Sequence, residues 1–301
     1  MPADPRRAGL LMILAAALLW ATGAVVGKGL FARGVTPAEL VQARCTIGAV
    51  TLGLLLALFA RARLAVTPRE LPLLALAGAA MAGVQSCYFR AIAAIPVAAA
   101  ILLQYASAFL VLIFSALFLR ERLTRPKVAA LALAAAGCFL VAGGYDLGLA
   151  AMNAAGVAWG LGAAVLFAAY TLVGARAVRA RDPFAVLFFA LAFAALPTNL
   201  IAPPLAFLAR AQDPQIASRL LYVALLGTVL PFGLYFAGVR RLGAAKASIA
   251  AMAEPVFSAL VAYLALGETL APPQIAGAAA VVGAVVVLER FRGEAGAISR
   301  G

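Results

Sequence analysis

The stretch LRERLTRP at residues 119–126 and the stretch LGETLAPP at residues 266–273 share one pattern, Leu-x-Glu-x-Leu-x-x-Pro. Sliding the chain along itself by the 147 positions that separate them also superposes Tyr88-Phe89 on Tyr235-Phe236, Ala98 on Ala245 and Leu117 on Leu264. With one further residue of shift, Leu18 and Ala21 fall on Leu166 and Ala169. Self-similarity at a fixed interval is the mark of a repeated architecture. The chain reads as two similar halves, 1–147 and 152–292, followed by a short tail, 293–301.

Each half is built from apolar runs. Of 301 residues, 66% are hydrophobic and 12% are charged, the latter about half the usual share of a soluble domain. The runs lie at about Leu10–Phe31, Ala38–Ala60, Leu71–Ala93, Val97–Leu119, Val128–Gly144, Ala154–Ala175, Phe184–Leu208, Leu220–Val239, Ala247–Leu266 and Gln274–Leu288. Each is long enough, at about 1.5 Å per residue with some tilt, to cross a hydrocarbon core about 30 Å thick. Five runs per half is an odd number, so equivalent helices cross in opposite directions; Glu121 ends the fourth on one face and Glu268 ends the ninth on the other. The expected fold is an all-α polytopic membrane protein with ten transmembrane helices as two inverted five-helix repeats. Secondary transporters use such repeats, with a site near the midplane that is exposed to each side in turn.

A formal net charge of +13 would suggest nucleic acid in a soluble chain; here the placement of the charge decides its meaning. With the N-terminus inside, Arg6 and Arg7 and the segments after the second, fourth, sixth, eighth and tenth runs carry 18 of the 24 basic residues. The positive-inside rule then puts both termini in the cytoplasm, and the partner is a lipid bilayer, not nucleic acid. The 22-residue run after Arg6-Arg7 exceeds the roughly 7–15 apolar residues of a signal peptide, so it reads as a retained helix. Cys45, Cys87 and Cys138 are scattered through three runs, with neither disulfide nor metal spacing.

Polar residues inside the runs are the candidate site. In ASIAAMAEPVFSALVAYL (247–264), Glu254 lies about 12 Å from the basic end of its helix, and Pro255 beside it frees the carbonyl near Ala251. An acid at that depth costs a few kcal/mol if it faces lipid. Two readings stand: an anchor for a substrate ammonium or a proton, or an interhelical hydrogen bond that holds the kink. The equivalent position in the first half is Ser107. Arg44, about six residues into the second run, is either a partner for a substrate carboxylate or a side chain that snorkels to the interface. Trp20 and Tyr170 lie deep in their runs, Gln104, Tyr105 and Ser107 share one neighbourhood, and Gln85 and Tyr88 share a helix face. Tyr235, on a face with Thr228 and Pro231, and Ser258, one turn beyond Glu254, complete the candidates. Each aromatic among them reads equally as packing filler. Glu121 reads as structural punctuation paired with Arg120, Arg122 or Arg125.

The segments 107–142 and 253–288 resemble the ends of two EamA-type domains of the drug/metabolite transporter superfamily. The shared features are a polar or Glu-Pro site in the fourth helix of each half, the Glu-x-Leu-x-x-x-Pro boundary, here drawn with its proline one place earlier, and a small-residue fifth helix. Ser107-Ala108 and Arg120 depart from that pattern in the first half. The chain is most similar to bacterial amino-acid exporters of the YddG type. The resemblance implies helices one, three, four, six, eight and nine around a central cavity, with five and ten at the periphery.

These observations together predict a secondary transporter of the bacterial inner (plasma) membrane. It would export small zwitterionic metabolites, such as aromatic and other apolar amino acids, without a cofactor or metal. The alternatives are a proton-coupled exporter of cationic drugs or a nucleotide-metabolite carrier; a channel or scaffold accounts less well for the repeat. An intramembrane enzyme needs a nucleophile with a base, an acid dyad or metal ligands, and a chain with no His and widely separated acids offers none of these. Whether it acts as a monomer or a homodimer is open.

Overall fold

The computed structural model describes residues 4–146, 148, 152–201, 203–266 and 270–290; Glu268 and the tail 293–301 lie outside them. Ten helical spans run in order: α1 (Pro5–Phe31), α2 (Pro37–Phe59), α3 (Leu71–Ala94), α4 (Val97–Leu119), α5 (Arg125–Val141), α6 (Ala154–Ala177), α7 (Pro183–Ile201), α8 (Pro214–Leu242), α9 (Ala244–Ala251 and Glu254–Leu266) and α10 (Pro272–Arg290). There is no strand among the described residues. Among the described residues, nine spans have at least 18 residues and are apolar enough to cross a membrane; α5, with 17 residues, stands at the short end of the roughly 17–25 that suffice. The chain is an all-helical polytopic membrane protein.

Local chemistry sets the helix starts. Thr36 and Glu39 form a capping box before α2, the Thr36 N–H donating to Glu39 Oε2 at 2.7 Å and the Glu39 N–H to Thr36 Oγ1 at 3.2 Å. Asn153 and Asp213 cap α6 and α8. Capping also explains why α8 differs from its apolar run: it starts at Asp213-Pro214, six residues earlier, through the polar turn that carries Ser218 and Arg219. In the opposite sense α7 ends at Ile201, ahead of Pro203-Pro204, where proline cannot continue a helix.

Packing follows a pseudo-twofold pattern. The pair α1–α8 is matched by α6–α3, α4–α6 by α9–α1 and α3–α7 by α8–α2, while α2–α7, α4–α9 and α5–α10 map onto themselves. Small residues allow the closest approaches. A Cβ on Gly137 of α5 would meet the Gly277 carbonyl oxygen of α10 at 2.7 Å, and a Cβ on Gly277 would meet the Gly137 carbonyl oxygen at 2.7 Å. Between α1 and α8, a Cβ on Gly23 would come within 3.1 Å of Gly227 Cα.

The loops after α2, α4, α6 and α8 lie on one face, here termed the basic face. There the Arg181 guanidinium donates to Glu70 Oε1 at 2.7 Å and Oε2 at 2.8 Å, joining the halves. Glu121 departs from the expected arginine pairing. Its carboxylate accepts the Ala244 and Ala245 N–H groups at 2.6 and 3.3 Å and faces Lys127 Nζ at 3.6 Å. An acid that looks misplaced at the end of α4 thus caps the start of α9, where a helix dipole favours it.

Gly137→Val will lower the melting temperature of the detergent-solubilised protein by several degrees. Gly162→Ala, whose Cβ would meet only Cys87 Sγ at 3.5 Å, will leave it equal or slightly raised, by the ordinary helix preference for Ala of about 0.5–1 kcal/mol. The hydrogen bonds from Arg181, with those from Thr67, hold the Glu70 carboxyl down to about 2. A depressed carboxyl stabilises the fold above its unfolded value and loses that contribution as pH falls towards the folded one. The destabilisation caused by Glu70→Gln will therefore be constant above about pH 6 and shrink between pH 4.5 and 3 in melting curves.

Candidate functional site

The site begins with two broken helices. Span α4 consists of Val97–Gln104 and Ser107–Leu119, and α9 of Ala244–Ala251 and Glu254–Leu266; a shift of 147 positions carries every one of these boundaries onto its counterpart. Pro255 explains the break in α9, since proline has no N–H to donate and crowds the preceding turn. The break in α4 has no proline, and nothing in its local sequence announced it.

A break in a membrane span leaves carbonyls that water cannot serve. In α9 they are answered by the first half: the Tyr105 hydroxyl stands 2.8 Å from the Ala251 carbonyl oxygen, and Cys138 Sγ stands 3.2 Å from that of Met252. The Tyr105 hydroxyl also lies 2.7 Å from Glu254 Oε2. Glu254 is only 5% exposed. Hydrogen bonds to ionised groups contribute about 1.5–3 kcal/mol, comparable with the roughly 3 kcal/mol an acid costs at mid-membrane, so Tyr105 makes an inward Glu254 tolerable.

Arg44 does not snorkel. It is 5% exposed and turned into the bundle; its Nε donates to Thr228 Oγ1 and its Nη2 to the Gly227 carbonyl, both at 2.8 Å, and the guanidinium lies 4.8 Å from the centre of the Phe89 ring. Gly227 and Thr228 belong to a wide π-helical turn of α8, Leu225–Val229, which releases a carbonyl sideways that a regular helix would hold. Such turns recur at functional sites.

Between these groups lies a cavity. Of the candidates read from sequence, Trp20, Arg44, Gln85, Tyr88, Gln104, Tyr105 and Glu254 line it together. Ser107 and Ser258 are not in the lining; Ser107 is fully buried just past the α4 break, and Ser258 lies one turn along α9. Tyr170 and Tyr235 lie towards the basic face in an aromatic layer beneath the cavity. Trp20 approaches Phe232 and Tyr235 at centroid distances of 4.9 and 5.3 Å, Tyr170 stacks on Phe236 at 4.9 Å, and the Tyr235 and Thr171 hydroxyls are 3.0 Å apart. Also on that side, Ser107–Leu119 packs against Ala244–Ala251. Helices α1, α3, α4, α6, α8 and α9 supply the walls, and α2 joins them through Arg44. Phe89, Phe167, Phe232 and the Gly227 backbone were not legible in the sequence as site groups, because apolar walls look like any other core and a π-turn has no sequence pattern.

A helical membrane bundle in two related halves, with charged and aromatic groups converging on one internal cavity, is a transporter rather than an enzyme. The model of the EamA-like transporter family matches residues 7–143 and 154–290, and the chain belongs to that family. Among its relatives, an uncharacterized transporter, YwfM, of Bacillus subtilis is 28% identical over 281 residues, 92% of each chain. The threonine/homoserine exporter RhtA of Escherichia coli K12 is 29% identical over 87% of this chain and 84% of its own. The pseudopaline exporter CntI of Pseudomonas aeruginosa is 35% identical over about half of each chain, 53% of this one and 54% of its own. A solved structure, titled only as the crystal structure of a protein, superposes with a TM-score of 0.78 at 22% identity over 96% of this chain and all of its own; the fold is shared.

Tyr105→Phe will strip the Ala251 carbonyl and Glu254 of their common partner. It is expected to destabilise the protein by about 1–3 kcal/mol, read as a fall in melting temperature that Tyr88→Phe, with no protein hydrogen bond at its hydroxyl, will not reproduce.

Proposed function

We propose that the protein exports a small zwitterionic metabolite of the amino-acid type by alternating access. One observation carries the reading: a buried cation, Arg44, and a buried anion, Glu254, line the same cavity, which is otherwise walled largely by aromatic side chains. Arg44 faces the substrate carboxylate and Glu254 its ammonium. The ring faces of Trp20, Tyr88 and Tyr105 pack on the apolar portion of the substrate's side chain, with Gln85 and Gln104 alongside. Tyr170, Tyr235, Ser107 and Ser258 enter the site only as the halves rearrange. The description of a relative as a threonine/homoserine exporter supports a substrate of this class.

On this reading the halves 1–147 and 152–292 rock about the cavity within a bacterial inner membrane. The basic face is cytoplasmic by the positive-inside rule, so the aromatic layer and the α4–α9 contact close the inner side. A proton-linked cycle is the second reading, and the geometry at Tyr105 favours it. One phenolic hydrogen has two acceptors within 2.8 Å; shared between them it makes two weaker bonds, whereas a proton on Glu254 donated to the phenol oxygen makes both contacts full hydrogen bonds. Glu254 would then exchange that proton for a substrate cation.

Radiolabelled amino acids offered to liposomes containing the purified protein test both readings. Saturable uptake that Arg44→Gln and Glu254→Gln each reduce at least about tenfold is expected, and dependence on an imposed pH gradient would select the proton-linked cycle. Absence of uptake of every amino acid by folded protein would overturn the proposal.

A further inference from the structure

Binding the two ends of a zwitterion occupies Arg44 and Glu254 and leaves other polar groups of the cavity unserved. Trp20 Nε1, Gln85 Nε2, the Tyr88 hydroxyl and Gln104 Oε1 are all buried atoms with no hydrogen-bond partner in the protein, and all four residues line the cavity. Trp20, Gln85 and Tyr88 are themselves more than nine-tenths buried. Their rings and chains are held by packing rather than by polar partners. The Trp20 indole is wedged edge-on between Phe167 and Phe232, at centroid distances of 6.2 and 4.9 Å, and Tyr88 packs edge-on to Phe89 at 5.3 Å.

Buried polar groups without partners are uncommon, and each is destabilising while it stays unserved. Four more such atoms lie singly outside the lining, on Ser107, Tyr170, Ser248 and Ser258, so what sets the cavity's four apart is their convergence on one space; the backbone carbonyls beside it are served internally, Ala251 by Tyr105 and Gly227 by Arg44. Leaving four such groups around one cavity is the arrangement of a site whose occupant completes the hydrogen bonds. The groups also define what the occupant must offer. The indole N–H only donates, the phenol donates and accepts, and each glutamine carboxamide does both. A group that accepts and donates within a short reach meets all of these; a methyl group meets none.

Resting on the zwitterion reading above, we infer that the site selects amino acids whose side chain carries a short hydroxyl or carboxamide, against apolar side chains of the same shape. Gln85 and Tyr88, one turn apart on α3, together with Gln104 on α4 and Trp20 on α1, are the residues that make the distinction. The aromatic walls accommodate the methyl or methylene portion of such a side chain. The physical basis is asymmetric discrimination. A site built to hydrogen-bond a substrate group rejects the analogue without it far more strongly than an apolar pocket rejects an added hydroxyl.

The test uses the full chain in liposomes and two nearly isosteric pairs, threonine with valine and asparagine with leucine, each as competitor of a labelled partner. Threonine and asparagine are expected to compete better than valine and leucine by on the order of 10-fold or more, the equivalent of one or two buried groups being served. Gln85→Leu and, independently, Tyr88→Phe will narrow that ratio to within about threefold; should Gln85→Leu fail to fold, the smaller change at Tyr88 and the wild-type ratio carry the test. Valine and leucine competing as well as their polar partners would overturn this inference and leave the zwitterion reading standing. Failure of all four to bind or compete, in vesicles whose folded protein still takes up another amino acid, would likewise overturn this inference alone; absence of uptake of every amino acid would overturn both.

Discussion

A helix that breaks inside a membrane needs new partners for the carbonyls it releases, because hydrocarbon offers none and each unserved group costs several kcal/mol. The site of this protein is organised around that constraint. The break in α9 belongs to the second half, yet its Ala251 and Met252 carbonyls are answered by Tyr105 and Cys138 of the first. The same phenol holds Glu254, so one side chain joins the repeats, caps the break and aims the acid. The wide turn of α8 repeats the arrangement in the same direction: its Gly227 carbonyl belongs to the second half and is held by Arg44 of the first. Both charged groups of the cavity are thereby fixed at backbone irregularities of the second half, Arg44 by the wide turn of α8 and Glu254 beside the break in α9.

The two halves share a plan without sharing a chemistry. Their fourth helices break at matching positions, but where the second half has Glu254 the first has Ser107, and where the first has Tyr105 the second has Met252. Arg44 of α2 has no charged counterpart anywhere in α7, Pro183–Ile201. Tyr88 and Tyr235 show what surroundings do to identical residues: one lines the cavity with no protein partner for its hydroxyl, while the other is paired with Thr171 in the aromatic layer. A bundle closed on one side and hollow on the other must treat symmetric positions differently. An asymmetric substrate with one cationic and one anionic end suits a cavity whose charges come one from each half.

The sequence alone determined the membrane setting, the helix count, the repeat and its interval, and it singled out Glu254, Arg44 and the deep aromatics. These are properties of composition and periodicity, and hydrocarbon enforces them segment by segment: a run of some twenty apolar residues has few options other than a helix. It could not determine which polar residues would meet. Trp20, Gln85, Tyr88, Gln104 and Glu254 lie on four helices, and their convergence depends on how those helices rotate and cross, which is set by close approaches such as Gly23 on Gly227 and Gly137 on Gly277. The break in α4, which no proline announces, was hidden, as were the π-turn in α8 and the role of Glu121 as a cap for α9, where backbone meets a side chain more than a hundred residues away. Tertiary structure decided the choice between two readings of Arg44 as well: snorkelling was open to it by length, and the partners offered by α8 turned it inward.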